Sequence, residues 1–192
     1  MEVSFDTTNF FDEFKFITFD DKTHGFVDYV DRPTAEEKKL VQYKDGKVYI
    51  GADYENEVPD NKRGRPAVRL ESNYVLNGNQ LVVLDLDHMP TTVGEKMPKG
   101  CSIWPAFWMT NDSYWPNKGE VDIIEYVNNN QKNAAALHTS DTYSFSSTPP
   151  DSYSGVFKGR NSCEGFEGCG IYGPSNNVGH AFWEISRHGI QF

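Results

Sequence analysis

Between Gly119 and Tyr126 the chain reads Gly-Glu-Val-Asp-Ile-Ile-Glu-Tyr, three carboxylates set among β-branched residues in a run that otherwise has the character of a buried strand. No other stretch restricts the fold as severely. A buried carboxylate is costly unless it has a partner or a chemical task, so the sheet that holds this strand must present its acids to a shared polar space. Side chains of a regular strand alternate faces, which puts Glu120 and Asp122 together and Glu125, five residues after Glu120, on the other side. A β-bulge within Asp122-Ile123-Ile124-Glu125 would absorb the surplus residue, return Glu125 to the acidic face and leave the isoleucines for the core. Bulges are over-represented beside active sites.

With that bulge the two glutamates sit four strand steps apart, about 13 Å between Cα atoms at ~3.3 Å per residue, and their long side chains can lean toward each other across the shorter aspartate. Carboxyl groups about 5 Å apart suit glycoside cleavage with retention, one acting as nucleophile and the other as acid and then base, while the middle aspartate shares a proton or hydrogen bond with the nucleophile. Acid spacing alone equally describes a metal site or an exposed acidic strand. The neighbouring residues discriminate. Trp104-Pro105-Ala106-Phe107-Trp108-Met109 and Trp115-Pro116-Asn117-Lys118-Gly119-Glu120 place Trp104, Trp108 and Trp115 within sixteen residues of Glu120, and sugars bind by stacking their C–H faces on such rings.

These two segments resemble the motif of the laminarinase-like branch of glycoside hydrolase family 16, Trp-Pro-Ala-Phe-Trp followed by Trp-Pro-x-x-Gly-Glu-[Ile/Val]-Asp-Ile-[Ile/Val]-Glu. The similarity extends upstream to His24-Gly25-Phe26-Val27 and downstream to Leu137-His138-Thr139-Ser140-Asp141. It implies an all-β jelly-roll sandwich, concanavalin-like, with a concave glycan cleft. It also implies a retaining endo-β-glucanase cutting β-1,3 or mixed β-1,3/1,4 linkages, with Glu120 as nucleophile, Glu125 as acid/base and Asp122 between them. Arg69 is placed in the cleft by the resemblance and by composition is equally a surface arginine paired with Glu71. His138 is expected near the acids or the substrate, against the alternative of a structural histidine. Trp108 and Trp115 are expected to line the cleft, with Trp104 and Phe107 packed inward; because Trp104 and Trp108 share strand parity, the inward placement of Trp104 requires a bend at Pro105. A transglycosylase of the same family, or a non-catalytic lectin-like module on the same sandwich, are the competing functions.

The remaining sequence bounds rather than decides. A formal net charge of −10 argues against nucleic acid and polyanionic glycans as partners and leaves a neutral polysaccharide unaffected. No apolar run is long enough to span a membrane. No glycine-rich loop follows a strand, and no His/Cys spacing suggests zinc, so neither a cofactor nor a catalytic metal is expected; the resemblance allows a structural calcium without locating it. Cys163 and Cys169 bracket Glu-Gly-Phe-Glu-Gly, a loop that a disulfide would close for roughly 2 kcal/mol, against the alternative of reduced thiols in a cytosolic protein. With the sequon Asn111-Asp112-Ser113 this suggests a secreted protein whose signal peptide is absent from the chain.

Local patterning predicts a helix over Thr34–Lys39 after Pro33 and a hairpin of Val41–Tyr43 and Val48–Ala52 around Lys44-Asp45-Gly46. It further predicts a strand over Ala67–Ser72, a second hairpin of Val75-Leu76 and Gln80–Asp87 around Asn77-Gly78, and long loops over residues 141 to 179. The phenylalanines of residues 1 to 23 are expected in the core. Residues 180–192 are expected to form a hairpin that the family follows with several more strands. The chain is therefore expected to be one catalytic domain over residues 1–192, lacking its C-terminal strands and a partner for Cys101, and monomeric when complete.

Overall fold

The computed structural model describes residues 3–88, 103–128, 130, 132–140, 143–146 and 155–173. Two compact units divide the chain, Met1–Val83 and Leu84–Phe192. The first contains strands β1 (Phe14–Ile17) and β2 (Val27–Tyr29), helix α1 (Arg32–Glu37), then β3 (Val41–Lys44), β4 (Lys47–Ile50), β5 (Arg65–Ala67) and β6 (Arg69–Ser72). β1 pairs antiparallel with β6, β2 parallel with β5, and β3 antiparallel with β4 across the expected turn. The helix begins two residues before the predicted start, because Asp31 Oδ1 accepts a hydrogen bond from the Thr34 amide at 3.0 Å and caps it, with Pro33 in the first turn where its missing N–H costs nothing. Phe11, Val30, Ala35, Leu40 and Val41 form the buried core, against which Phe10, Phe16 and Leu70 pack. The phenylalanine-rich opening is thus core for Phe10, Phe11 and Phe16, whereas Phe19 is exposed.

One predicted hairpin does not form. Residues 75–88 carry no strand, and Leu81 and Val83 are 89% and 78% exposed. A run of apolar residues makes a strand only when a partner ladder takes up its amides, and among the described residues none pairs with this segment.

Among the described residues the second unit is built on five antiparallel strands, β7 (Ala106–Thr110), β8 (Glu120–Glu125), β9 (Ala134–His138), β10 (Val156–Phe157) and β11 (Cys169–Tyr172), in spatial order β10-β11-β9-β8-β7. β10 and β11 interrupt what sequence composition predicts as continuous loop. β8 is paired on both sides, by β7 and β9, so its acids are positioned from both sides. Tyr126, 1% exposed, anchors the opposite face with Leu86, Ile103 and Ile124. Cys163 and Cys169 form the expected disulfide. Cys101 and the expected hairpin over 180–192 lie outside the described residues. No helix of the described residues is long and apolar enough to cross a membrane.

Candidate active site

The predicted bulge is present. β7 runs opposite β8 with Phe107 facing Ile124 and Trp108 facing Asp122, so one step on β7 spans two on β8 and Ile123 is the surplus residue. Residues directly opposite one another in an antiparallel pair share a face. Ala106 opposite Glu125, Trp108 opposite Asp122 and Thr110 opposite Glu120 therefore place all three acids and Trp108 on one face, and Phe107 with Ile124 on the other. The β8–β9 register stops at Asp122 and Ala136, and beyond it the Asn133 side chain takes two backbone groups of β8: its Oδ1 accepts from the Glu125 amide at 2.9 Å and its Nδ2 donates to the Ile123 carbonyl at 2.8 Å. Sequence reasoning missed Asn133; an asparagine shortly before a strand reads as an ordinary turn residue.

Gly119, which precedes the strand, has φ +80°, a left-handed conformation that a side chain would strain. The Trp115–Pro116 peptide before it is cis. Trp115 is 36% exposed, and its ring lies 6.3 Å from the His138 ring, beside the acids as expected.

His138 lies opposite Glu120 across the β8–β9 ladder. Its Nε2 is 3.0 Å from Asp122 Oδ2 and 3.9 Å from Glu120 Oε1, and its Nδ1 is 3.0 Å from the Gly165 carbonyl. The three side chains are 13%, 7% and 16% exposed for His138, Asp122 and Glu120 respectively, so these interactions are little screened by water. Here the structure corrects one expectation: the hydrogen bond of Asp122 goes to His138, while Glu120 feels Asp122 as a neighbouring charge. Glu120, Asp122 and His138 also offer donor atoms within 4.8 Å of one another, but Nε2 and Oδ2 spend theirs on each other.

Trp104 is the second correction. Rather than packing inward it is 52% exposed, and its indole Nε1 donates to Glu125 Oε1 at 2.8 Å. Strand parity with Trp108 decides its side, without any bend at Pro105. Arg69 belongs to the first unit, where its guanidinium carbon lies 5.0 Å over the Phe19 ring.

Burial raises the Glu125 carboxyl above the ordinary glutamate range, opposed by the Trp104 hydrogen bond and reinforced by Asp122. Glu120 is also raised, first by burial and then by Asp122, with His138 and hydrogen bonds from Thr110 and Trp115 pulling it back. The Asp122 hydrogen bond raises His138 against the opposing effect of burial.

The model for the XgeA-like catalytic domain of glycoside hydrolase family 16 (GH16) matches residues 14–186 of the chain. The chain belongs to GH16. Curated relatives of this GH16 chain include an endo-1,3(4)-β-glucanase of Arthroderma benhamiae, 41% identical over 139 residues, 72% of this chain and 28% of that one. A probable endo-1,3(4)-β-glucanase of Aspergillus flavus is 38% identical over 178 residues, 91% of this chain and 25% of that one. Among solved structures, an elongating GH family 16 β-1,3-glucosyltransferase is 36% identical with a TM-score of 0.82, covering 95% of this chain and 59% of that one. Laminarinase 16A from Phanerochaete chrysosporium, solved with β-glucans in donor and acceptor sites, is 32% identical with a TM-score of 0.79, covering 94% of this chain and 58% of that one. The GH16 chain spans about a quarter of the length of these curated relatives. These likenesses bear out the all-β jelly-roll sandwich expected from sequence.

Proposed function

We propose that this GH16 chain carries the catalytic face of a retaining endo-β-glucanase acting on β-1,3 or mixed β-1,3/1,4-glucan. The observation that carries the reading is the bulged strand β8, which turns Glu120, Asp122 and Glu125 to one face among Trp104, Trp108 and Trp115. Glu125, held toward its protonated form by burial, donates its proton to the glycosidic oxygen as the bond to the anomeric carbon breaks. Glu120, raised by burial and by Asp122 with His138 and hydrogen bonds from Thr110 and Trp115 opposing the rise, attacks that carbon as its carboxylate and forms a glycosyl ester. Glu125, now a carboxylate, accepts a proton from water. The resulting hydroxide attacks the anomeric carbon, releases Glu120 and restores the starting configuration. The order of the two glutamates rests on the family motif. A neutral glucan fits a chain of net charge −10. The disulfide supports secretion, since such bonds persist in oxidising compartments.

The test is Glu125→Ala in the full-length protein with laminarin, lichenan and xyloglucan. Turnover should collapse, and azide should restore it with a β-glycosyl azide as product. An α-azide, or inversion followed by NMR during hydrolysis, refutes the assignment. A second reading, transfer of the glycosyl unit to a sugar instead of water, is favoured by the likeness to the β-1,3-glucosyltransferase. Oligosaccharides longer than the substrate, formed without a matching rise in reducing ends, would select it.

A further inference from the structure

The loop between Cys163 and Cys169 wraps the end of β9, and hydrogen bonds on both sides of His138 hold it there. On one side the Thr139 amide donates to the Cys163 carbonyl at 2.8 Å and the Gly165 amide donates to the Thr139 carbonyl at 2.9 Å. On the other, Cys169 sits opposite Leu137 in the β11–β9 ladder. The two cysteines are 1% and 2% exposed. Between them the loop delivers one functional group, the Gly165 carbonyl, to His138 Nδ1 at 3.0 Å.

A carbonyl oxygen only accepts, so Nδ1 carries a hydrogen; the other neutral tautomer would set a bare nitrogen lone pair against the carbonyl. With Nδ1–H committed, Nε2 and Asp122 Oδ2, 3.0 Å apart, hold a single proton between them. Either histidine is cationic beside a carboxylate, or it is neutral and accepts from a protonated Asp122. Gly168 makes the close approach feasible: its φ is +56°, and a Cβ there would stand 2.6 Å from His138 Nδ1 and 2.7 Å from the Leu137 carbonyl.

We propose that the disulfide-closed loop is a positioning device for the catalytic face, in which Gly165 fixes the tautomer of His138 and thereby keeps one proton between His138 and Asp122. Gly165 and Gly168 are positioning residues that act through His138, and the proposal rests on the glycosidase reading for its kinetic consequence.

The test uses the full-length protein with side-chain 15N-labelled histidine. In the parent, the His138 ring should show a protonated, slowly exchanging Nδ1. In the double variant Cys163→Ser/Cys169→Ser, folded by circular dichroism, that signature should be lost and kcat should fall about tenfold with KM nearly unchanged, as for loss of one oriented hydrogen bond. Gly168→Ala retains the disulfide and should have the same two effects, so it decides the matter if the double variant does not fold. A folded variant that keeps the Nδ1–H signature overturns the proposal, as does one that loses it with kcat intact, or a parent with bare Nδ1. If no glucan is cleaved or transferred, the glycosidase reading fails while the ring spectra still decide whether the loop holds the tautomer.

Discussion

Replacing Asp122 by Asn removes one charge from the acidic face at nearly constant shape. Asp122 and His138 are 7% and 13% exposed at their side chains, so their hydrogen bond carries little solvent screening. A hydrogen bond to a charged group contributes roughly 1.5–3 kcal/mol and a neutral one roughly 0.5–1.5. Because Asn can still bond Nε2, the expected loss of stability is the difference, about 1–1.5 kcal/mol. The pH dependence supplies the sign. The folded-state pKa of His138 is raised by Asp122 above its ordinary 6.5, so the stability from this pair is fully present below 6.5 and is lost as pH rises through the raised value. Glu120 and Glu125, both raised with Asp122 as one cause, tilt stability the same way. Urea unfolding at about pH 6 and about pH 8.5 should therefore show the variant less stable at the lower pH and the gap closing at the higher one. Turnover should fall about tenfold, at 1.4 kcal/mol per decade. An Asn variant with the same pH dependence as the parent, or a gap that widens with pH, would refute this account of the pair.

Asn133→Ala should leave the bulge's Ile123 carbonyl and Glu125 amide unpaired, costing about 1–3 kcal/mol in urea unfolding and lowering kcat more than it raises KM. Trp104→Phe retains the ring but removes the donor that holds the Glu125 carboxyl down, so Glu125 should stay protonated to higher pH. The alkaline limb of kcat/KM should then move upward, and a downward movement would contradict the role of that bond. Trp115→Ala should damage turnover far more than melting temperature; a large loss of Tm with intact turnover would make Trp115 a core residue.

The sequence by itself determined the features that depend on neighbours along the chain. Two residues five apart, as Glu120 and Glu125 are, cannot share a face at a period of two, so the bulge was legible before any coordinate, and so was the closure of a short loop by Cys163 and Cys169. The parity of Trp104 with Trp108 was legible too, and the structure follows parity where an added bend would have hidden Trp104 in the core. The tertiary structure decided what depends on register between strands. His138 meets Asp122 across 16 residues of sequence and Gly165 across 27. Asn133 reaches Ile123 and Glu125 only because β9 begins beside them, at Ala134. The segment of residues 75–88 makes the same point from the other side, for its apolar run Leu81-Val82-Val83-Leu84 promises a strand and no described partner pairs with it. Side-chain alternation is a property of one strand, whereas hydrogen-bond partners and burial are properties of two, and only folding brings the second strand to the first.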